Sequence, residues 1–201
     1  MKTHRLPIIV CAASLCGAAL AQETSSEPRE VHGIQPFHAT MAGTSINKDD
    51  FAFTGTPLFN GMSGAIRAHA DIVGESTHGG YTAQAQFEAA YASPFPVCVQ
   101  PGGGGGIQSV YKGFVLVMSF NATQDQLFLA LSSGSDCFNP TAGVSVGQVT
   151  FKVIGGTGRF EGATGTLVNP YKGIGLAASA LGPSGFFNAV TGTFEGFITL
   201  K

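Results

Sequence analysis

The chain contains no tryptophan, and only 11% of its 201 residues are charged. So few charges leave little material for solvated surface helices, whose outer faces are built from Glu, Lys and Arg. The balance of charge, ten Lys and Arg against twelve Asp and Glu, argues against a nucleic-acid binder, which needs a basic patch. The missing Trp and the lack of aromatic girdles argue against a membrane-spanning barrel. Cysteine is scarce too: of four, Cys11 and Cys16 lie close to the N-terminus, which excludes a disulfide-dense miniprotein. There is no His-Glu-x-x-His helix and no Gly-x-Ser-x-Gly elbow, so zinc-peptidase and serine-hydrolase readings have no support. His32 and His38 stand alone in a polar stretch and no Cys/His set completes a tetrahedral site, so neither metal nor cofactor is expected.

The first residues, MKTHR and then LPIIVCAASLCGAALA, form a basic head and an apolar run ending in small residues. Ala19-Leu20-Ala21 before Gln22 is an A-x-A cleavage site, so residues 1–21 read as a secretory signal peptide, cut between Ala21 and Gln22. The run is short for a membrane span, and no span is expected once it is removed. Without Lys2 and Arg5, eight basic residues face twelve acidic ones, a formal charge of −4. A secreted or periplasmic location allows Cys98 and Cys137 to form a disulfide, with a pair of reduced thiols as the alternative.

About 180 residues remain after the leader, which suits one domain. Residues 22–50 are polar and without clear period and read as a largely disordered segment. From residue 51 to 201 the pattern is that of strands and tight turns. Residues 65–73 alternate cleanly, with Ile66, Ala68, Ala70 and Ile72 on one face and Arg67, His69 and Asp71 on the other. After a Gly-rich turn, residues 81–91 alternate again, placing Tyr81, Phe87 and Tyr91 opposite Gln84, Gln86 and Glu88. These two segments read as a β-hairpin. Residues 93–106, with five consecutive glycines, read as a long loop. Residues 110–120 are apolar on both faces, which predicts a cover over the outside, either the N-terminal segment or a second copy of the chain. The segments 132–143 and 169–185 read as turns and connections. The count is about eight strands at hairpin spacing, an all-β, antiparallel barrel.

The segment that organises this pattern is FKVIGGTGRFEGATGTL, residues 151–167. A strand runs into a glycine-built turn, carried by Gly155, Gly156, Gly158 and Gly162 around Arg159 and Glu161, and a new strand follows. A shorter version, GTFEGFITL, closes the chain. The turn lacks G-x-G-x-x-G spacing, and no Lys-Ser or Lys-Thr follows PGGGGG, so nucleotide binding is not indicated. GGTGRFEGATG with the closing GTFEGFITL strand resembles the allene oxide cyclase and dirigent barrel superfamily, especially its secreted bacterial members. The resemblance covers the C-terminal third by motif and extends back to Phe51 by strand rhythm. It implies an eight-stranded antiparallel barrel and, for some members, steering of cyclisation or coupling of a hydrophobic small molecule. The shared motif carries architecture and not the catalytic residues of the plant enzymes.

Two placements of function follow. If the polar face of the hairpin points inward, His69 with Asp71 or Glu88 forms an acid–base pair; if the apolar face does, that pair meets water. In the second case the interior is a hydrophobic pocket drawn from Tyr81, Phe87, Tyr91, Phe114, Met118 and Phe151. The expectation is a barrel that binds a hydrophobic small molecule, enzyme or carrier. The alternative is a structural or surface-interaction barrel with a filled core.

Overall fold

The computed structural model describes residues 33–47, 64–91, 96–178 and 186–201. The leader with its Ala21–Gln22 junction and the short strand expected after Phe51 lie outside these residues. Nine strands follow in chain order: β1 (Gly33–Asn47), β2 (Gly64–Ser76), β3 (Gly79–Tyr91), β4 (Val97–Val99), β5 (Gly105–Phe120), β6 (Gln126–Asn139), β7 (Val144–Gly156), β8 (Thr164–Ala178) and β9 (Phe186–Leu200). They pair antiparallel in the order β3-β2-β1-β9-β8-β7-β6-β5-β4, and β3 also pairs with β5. That last pairing closes eight strands into a barrel and leaves β4 as one outer strand. The all-β, eight-stranded antiparallel architecture is therefore the fold of this chain.

Three boundaries differ from the sequence reading. Residues 33–47, expected to be disordered, form β1, a full barrel strand between β2 and β9. Phe37, Ala39, Met41 and Ser45 are buried while Ile34, His38 and Thr40 face out, the alternation of a half-buried strand. Small and polar residues at the inward positions, with Pro36 and two glycines, hide that alternation. β1 lies within the wall, and among the described residues Val115 on the outside of β5 is exposed. The Gly-rich loop is shorter than expected, because β4 and the start of β5 fall inside it. Residues 132–139 and 169–178, read as turns and connections, continue β6 and β8.

The hairpin of β2 and β3 forms as expected, in register from Gly64↔Tyr91 to Ser76↔Gly79. Its apolar face turns inward: Ala68, Ala70, Ile72, Tyr81, Ala83 and Ala85 are buried. One half of the barrel is filled with rings, and Phe37, Tyr81, Phe120, Phe151, Phe160 and Phe194 are all fully buried there. Ring pairs such as Phe120–Phe160 at 4.8 Å between centroids knit this half together.

The glycine motif plugs that end. β7 runs into a 3-10 turn, Gly158–Phe160, that drops Phe160 into the core. A Cβ on Gly156 would lie 2.6 Å from that of Phe160, so the glycine is what lets the plug seat. Gly158 holds φ +55°, in the left-handed region that favours glycine. Arg159 lies over the Phe120 and Phe160 rings, 5.0 and 4.9 Å from their centroids. It also donates from Nη2 to the His78 carbonyl at 2.8 Å and pairs with Asp125 at 3.4 Å. His78 stacks on Phe37, and burial together with the Arg159 charge holds its pKa below the usual imidazole value.

At the other end Cys98 and Cys137 are joined in a disulfide, tying β4 to β6 across β5. The link passes over Gly106, where a Cβ would come within 2.9 Å of the Cys137 sulfur. Buried Gln100 reinforces it, donating from Nε2 to the carbonyls of Cys137 and Val144, both at 2.8 Å. Closing a loop between cysteines 39 residues apart restricts the unfolded chain by roughly 4 kcal/mol. Replacing both cysteines by serine is expected to lower the melting temperature by on the order of 10 °C. A calorimetric scan of the two proteins checks this, and an unchanged midpoint would show that the bridge contributes little.

Candidate binding site in the barrel interior

The packed half gives way, toward the end where β5 begins and β6 finishes, to a cavity of about 130 Å³ bordered by all eight barrel strands. Met41, Ile72, Phe87, Phe114, Leu116 and Val190 form its apolar wall. Ser45, Ser109, Asp136, Ser145, Asn169, Tyr171 and Asn188 bring polar groups to it, with the Tyr111 ring beside them.

Two β-bulges decide which side chains enter this space. In β6, Leu127 and Leu129 are buried, and strict alternation from them would turn Cys137 inward and Asp136 outward. A register shift between Leu131 and Ser133 inserts one residue and reverses the parity, so Asp136 and Phe138 line the cavity. In β5, Phe120, Met118, Leu116 and Phe114 point in. Across from them Glu88 pairs with Gly113 but Ala89 pairs with Tyr111, so Lys112 is the extra residue. Beyond it Tyr111 and Ser109 take the inward positions and are buried.

The polar wall forms a continuous row. Ser145 Oγ donates to Asp136 Oδ2 at 3.0 Å, and the Tyr111 and Tyr171 hydroxyls share a hydrogen bond of 2.5 Å. Burial raises the Asp136 pKa from its ordinary 3.8 to about 6, although Ser145, the Tyr171 hydroxyl and the Cys137 amide each favour the charged form. Burial first, and then the neighbouring Tyr111 and Asp136, push the Tyr171 phenol well above its usual value. Asp136 Oδ1 is buried with no hydrogen-bond partner, one of two such side-chain atoms among the described residues, the other being His78 Nε2. Asn169 is satisfied by the Thr193 carbonyl at 2.6 Å, and Asn188 reaches Ser45 Oγ at 3.4 Å. Chemically, the wall offers one carboxyl of shifted pKa, several hydroxyls and no basic side chain among the described residues.

Of the residues expected in a pocket, Phe87 and Phe114 line the cavity, their rings stacked at 4.9 Å. Tyr81, Met118 and Phe151 instead belong to the solid core. Tyr91 ends β3, and its side chain lies outside the described set. His69, Asp71 and Glu88 sit on the outward face of the hairpin. His69 Nε2 and Asp71 Oδ1 are 3.1 Å apart there, with Asp71 exposed. Of the motif residues, Gly155, Gly156, Gly158 and Gly162 build the closed end, and Arg159 and exposed Glu161 stand there too, away from the cavity. Among the described residues no group of three His, Cys, Asp or Glu side chains is arranged to hold a metal ion. Tyr111, Asp136, Ser145 and Tyr171 were not anticipated. The available signal was the alternation Leu167, Asn169, Tyr171, Gly173, which continues a strand through a segment that reads as a connection.

Compared with protein-family models, with characterised proteins and with solved structures, the chain matches none.

The Asp136 shift makes a testable link to stability. Its folded pKa of about 6 lies above the unfolded 3.8, so between these values the folded protein holds a proton that the unfolded chain has lost. Stability therefore falls as pH rises through that window, and the cost is complete above it. Asp136→Asn is expected to stabilise the protein at pH 8 by up to about 3 kcal/mol and to change little at pH 4. Urea denaturation at both pH values checks this. An equal effect at both would show that the carboxyl charge is not what the wall opposes.

Proposed function

We propose that the protein is a secreted barrel that holds a hydrophobic small molecule in its interior. The observation that carries this reading is the contrast between the two ends. One is packed solid with rings and plugged, and the other keeps a cavity that sets apolar side chains beside a smaller number of polar groups. A barrel with a purely structural role gains nothing from unfilled space, since voids forfeit packing contacts. The size is suitable: engineered apolar cavities of about 150 Å³ take up benzene.

Secretion is supported by the basic head, apolar run and A-x-A site of residues 1–21, and by the disulfide, which suits an oxidising compartment. No helix among the described residues is long and apolar enough to cross a membrane. The resemblance to the allene oxide cyclase and dirigent superfamily points to the same kind of ligand. The wall, with one carboxyl and no base beside it among the described residues, favours holding a molecule over acid–base turnover.

Small aromatic hydrocarbons such as toluene are expected to raise the melting temperature in proportion to the logarithm of their concentration, as any ligand of the folded state does. Val190→Phe, which fills the cavity, is expected to abolish the ligand-induced shift whatever it does to the starting midpoint. A panel of apolar compounds that leaves the wild-type midpoint unmoved would overturn the reading in favour of a structural barrel.

A further inference from the structure

Asp136 is a carboxyl without a counter-charge. Among the described residues no Lys, Arg or His lines the cavity, so nothing there neutralises it. Of its two oxygens, Oδ2 accepts from Ser145, while Oδ1 is buried with no hydrogen-bond partner. An ionised carboxyl offers about four acceptor positions, and leaving part of that capacity unmet away from water is costly. We propose that the cavity selects a protonated primary amine carried on a small apolar or aromatic body, with Asp136 as its counter-ion. This deepens the reading of the interior as a hydrophobic binding site and rests on it.

Each part of such a molecule has a complement. An ammonium supplies the missing positive charge and a donor to the Asp136 carboxylate, which lines the cavity. Its other N–H groups need acceptors, and the hydroxyls of Ser145, Tyr111 and Tyr171 are grouped on the same side. Aromatic faces attract cations, and the Phe87, Tyr111 and Phe114 rings cluster along the wall within 5.6 Å of one another. Other ligand classes fit less well. A fatty acid would bring a second negative charge against the carboxylate, and a neutral hydrocarbon would leave it without a counter-charge. A hard metal ion needs six or more oxygen ligands and finds a single carboxylate here.

The test compares three phenyl-bearing probes of similar size by titration calorimetry at pH 7.5: 2-phenylethylamine, n-propylbenzene and phenylacetate. In the wild-type protein the amine is expected to bind at least about tenfold more tightly than propylbenzene, the scale of a charge-assisted hydrogen bond, with the carboxylate weakest. Asp136→Asn should remove that advantage while leaving propylbenzene within about threefold of its wild-type affinity. If propylbenzene binds as well as the amine, or if Asp136→Asn keeps the preference, the amine inference falls and the hydrophobic site stands. If no probe binds the wild-type protein, the two fall together.

Discussion

Closure of β3 onto β5 is the constraint on which the rest of this molecule depends. In an open sheet, an extra residue can be absorbed by sliding the edge strand. In a closed barrel every strand has two neighbours, so an insertion is taken up locally, as a bulge. A bulge reverses which residues point inward from that point on, because the side-chain period of a strand is two. The shift after Leu131 accordingly does two things: it turns Asp136 into the cavity and puts Cys137 on the opposite face, where Cys98 meets it over Gly106. The shift at Lys112 brings in Tyr111, whose hydroxyl meets that of Tyr171. One backbone device thus builds the polar wall and the outer brace together.

The asymmetry of the barrel has the same origin. In the closed half the inward positions are large, so the rings meet and exclude space. In the open half the inward positions include Ser45, Ala70, Ser109, Gly173 and Asn188, small side chains that leave space between the larger rings. The plug of Phe160 under Arg159 closes one end, whereas at the other a cavity remains between Phe87, Phe114, Phe138 and Tyr171. A site at one end follows from residue size and parity, without any special loop.

How much of this was legible in the sequence varied with the strength of alternation. The β2–β3 hairpin and the glycine plug were readable because Ile72, Tyr81, Phe151 and Gly156 stand in unbroken patterns of large apolar residues and obligate turns. β1 was not, since its inward residues include Ala39, Gly43 and Ser45, which carry little hydrophobic signal. The same weakness hid the site. Asp136 lies in a Ser- and Gly-rich stretch that reads as a turn, and its inward aim depends on a bulge that composition does not mark. His69 and Asp71 drew attention instead because they stand in a clean strand, but the alternation that made them visible also puts them on the outside. The residues that fill a barrel are periodic and easily seen, whereas those that line an opening in it are small, polar and placed by irregularity.

That Asp136 is kept in the wall is the feature that a purely structural account leaves unexplained. Burial opposes its charge, its Oδ1 has no partner, and the hydroxyls around it offset only part of the cost. Asparagine at the same position would accept from Ser145 and avoid the charge penalty. On the proposed reading, that penalty disappears when a donor or a positive charge is set against the carboxylate. The unfavourable burial then becomes part of recognition, because the apolar wall that penalises a bare carboxylate also strengthens its attraction for a partner cation.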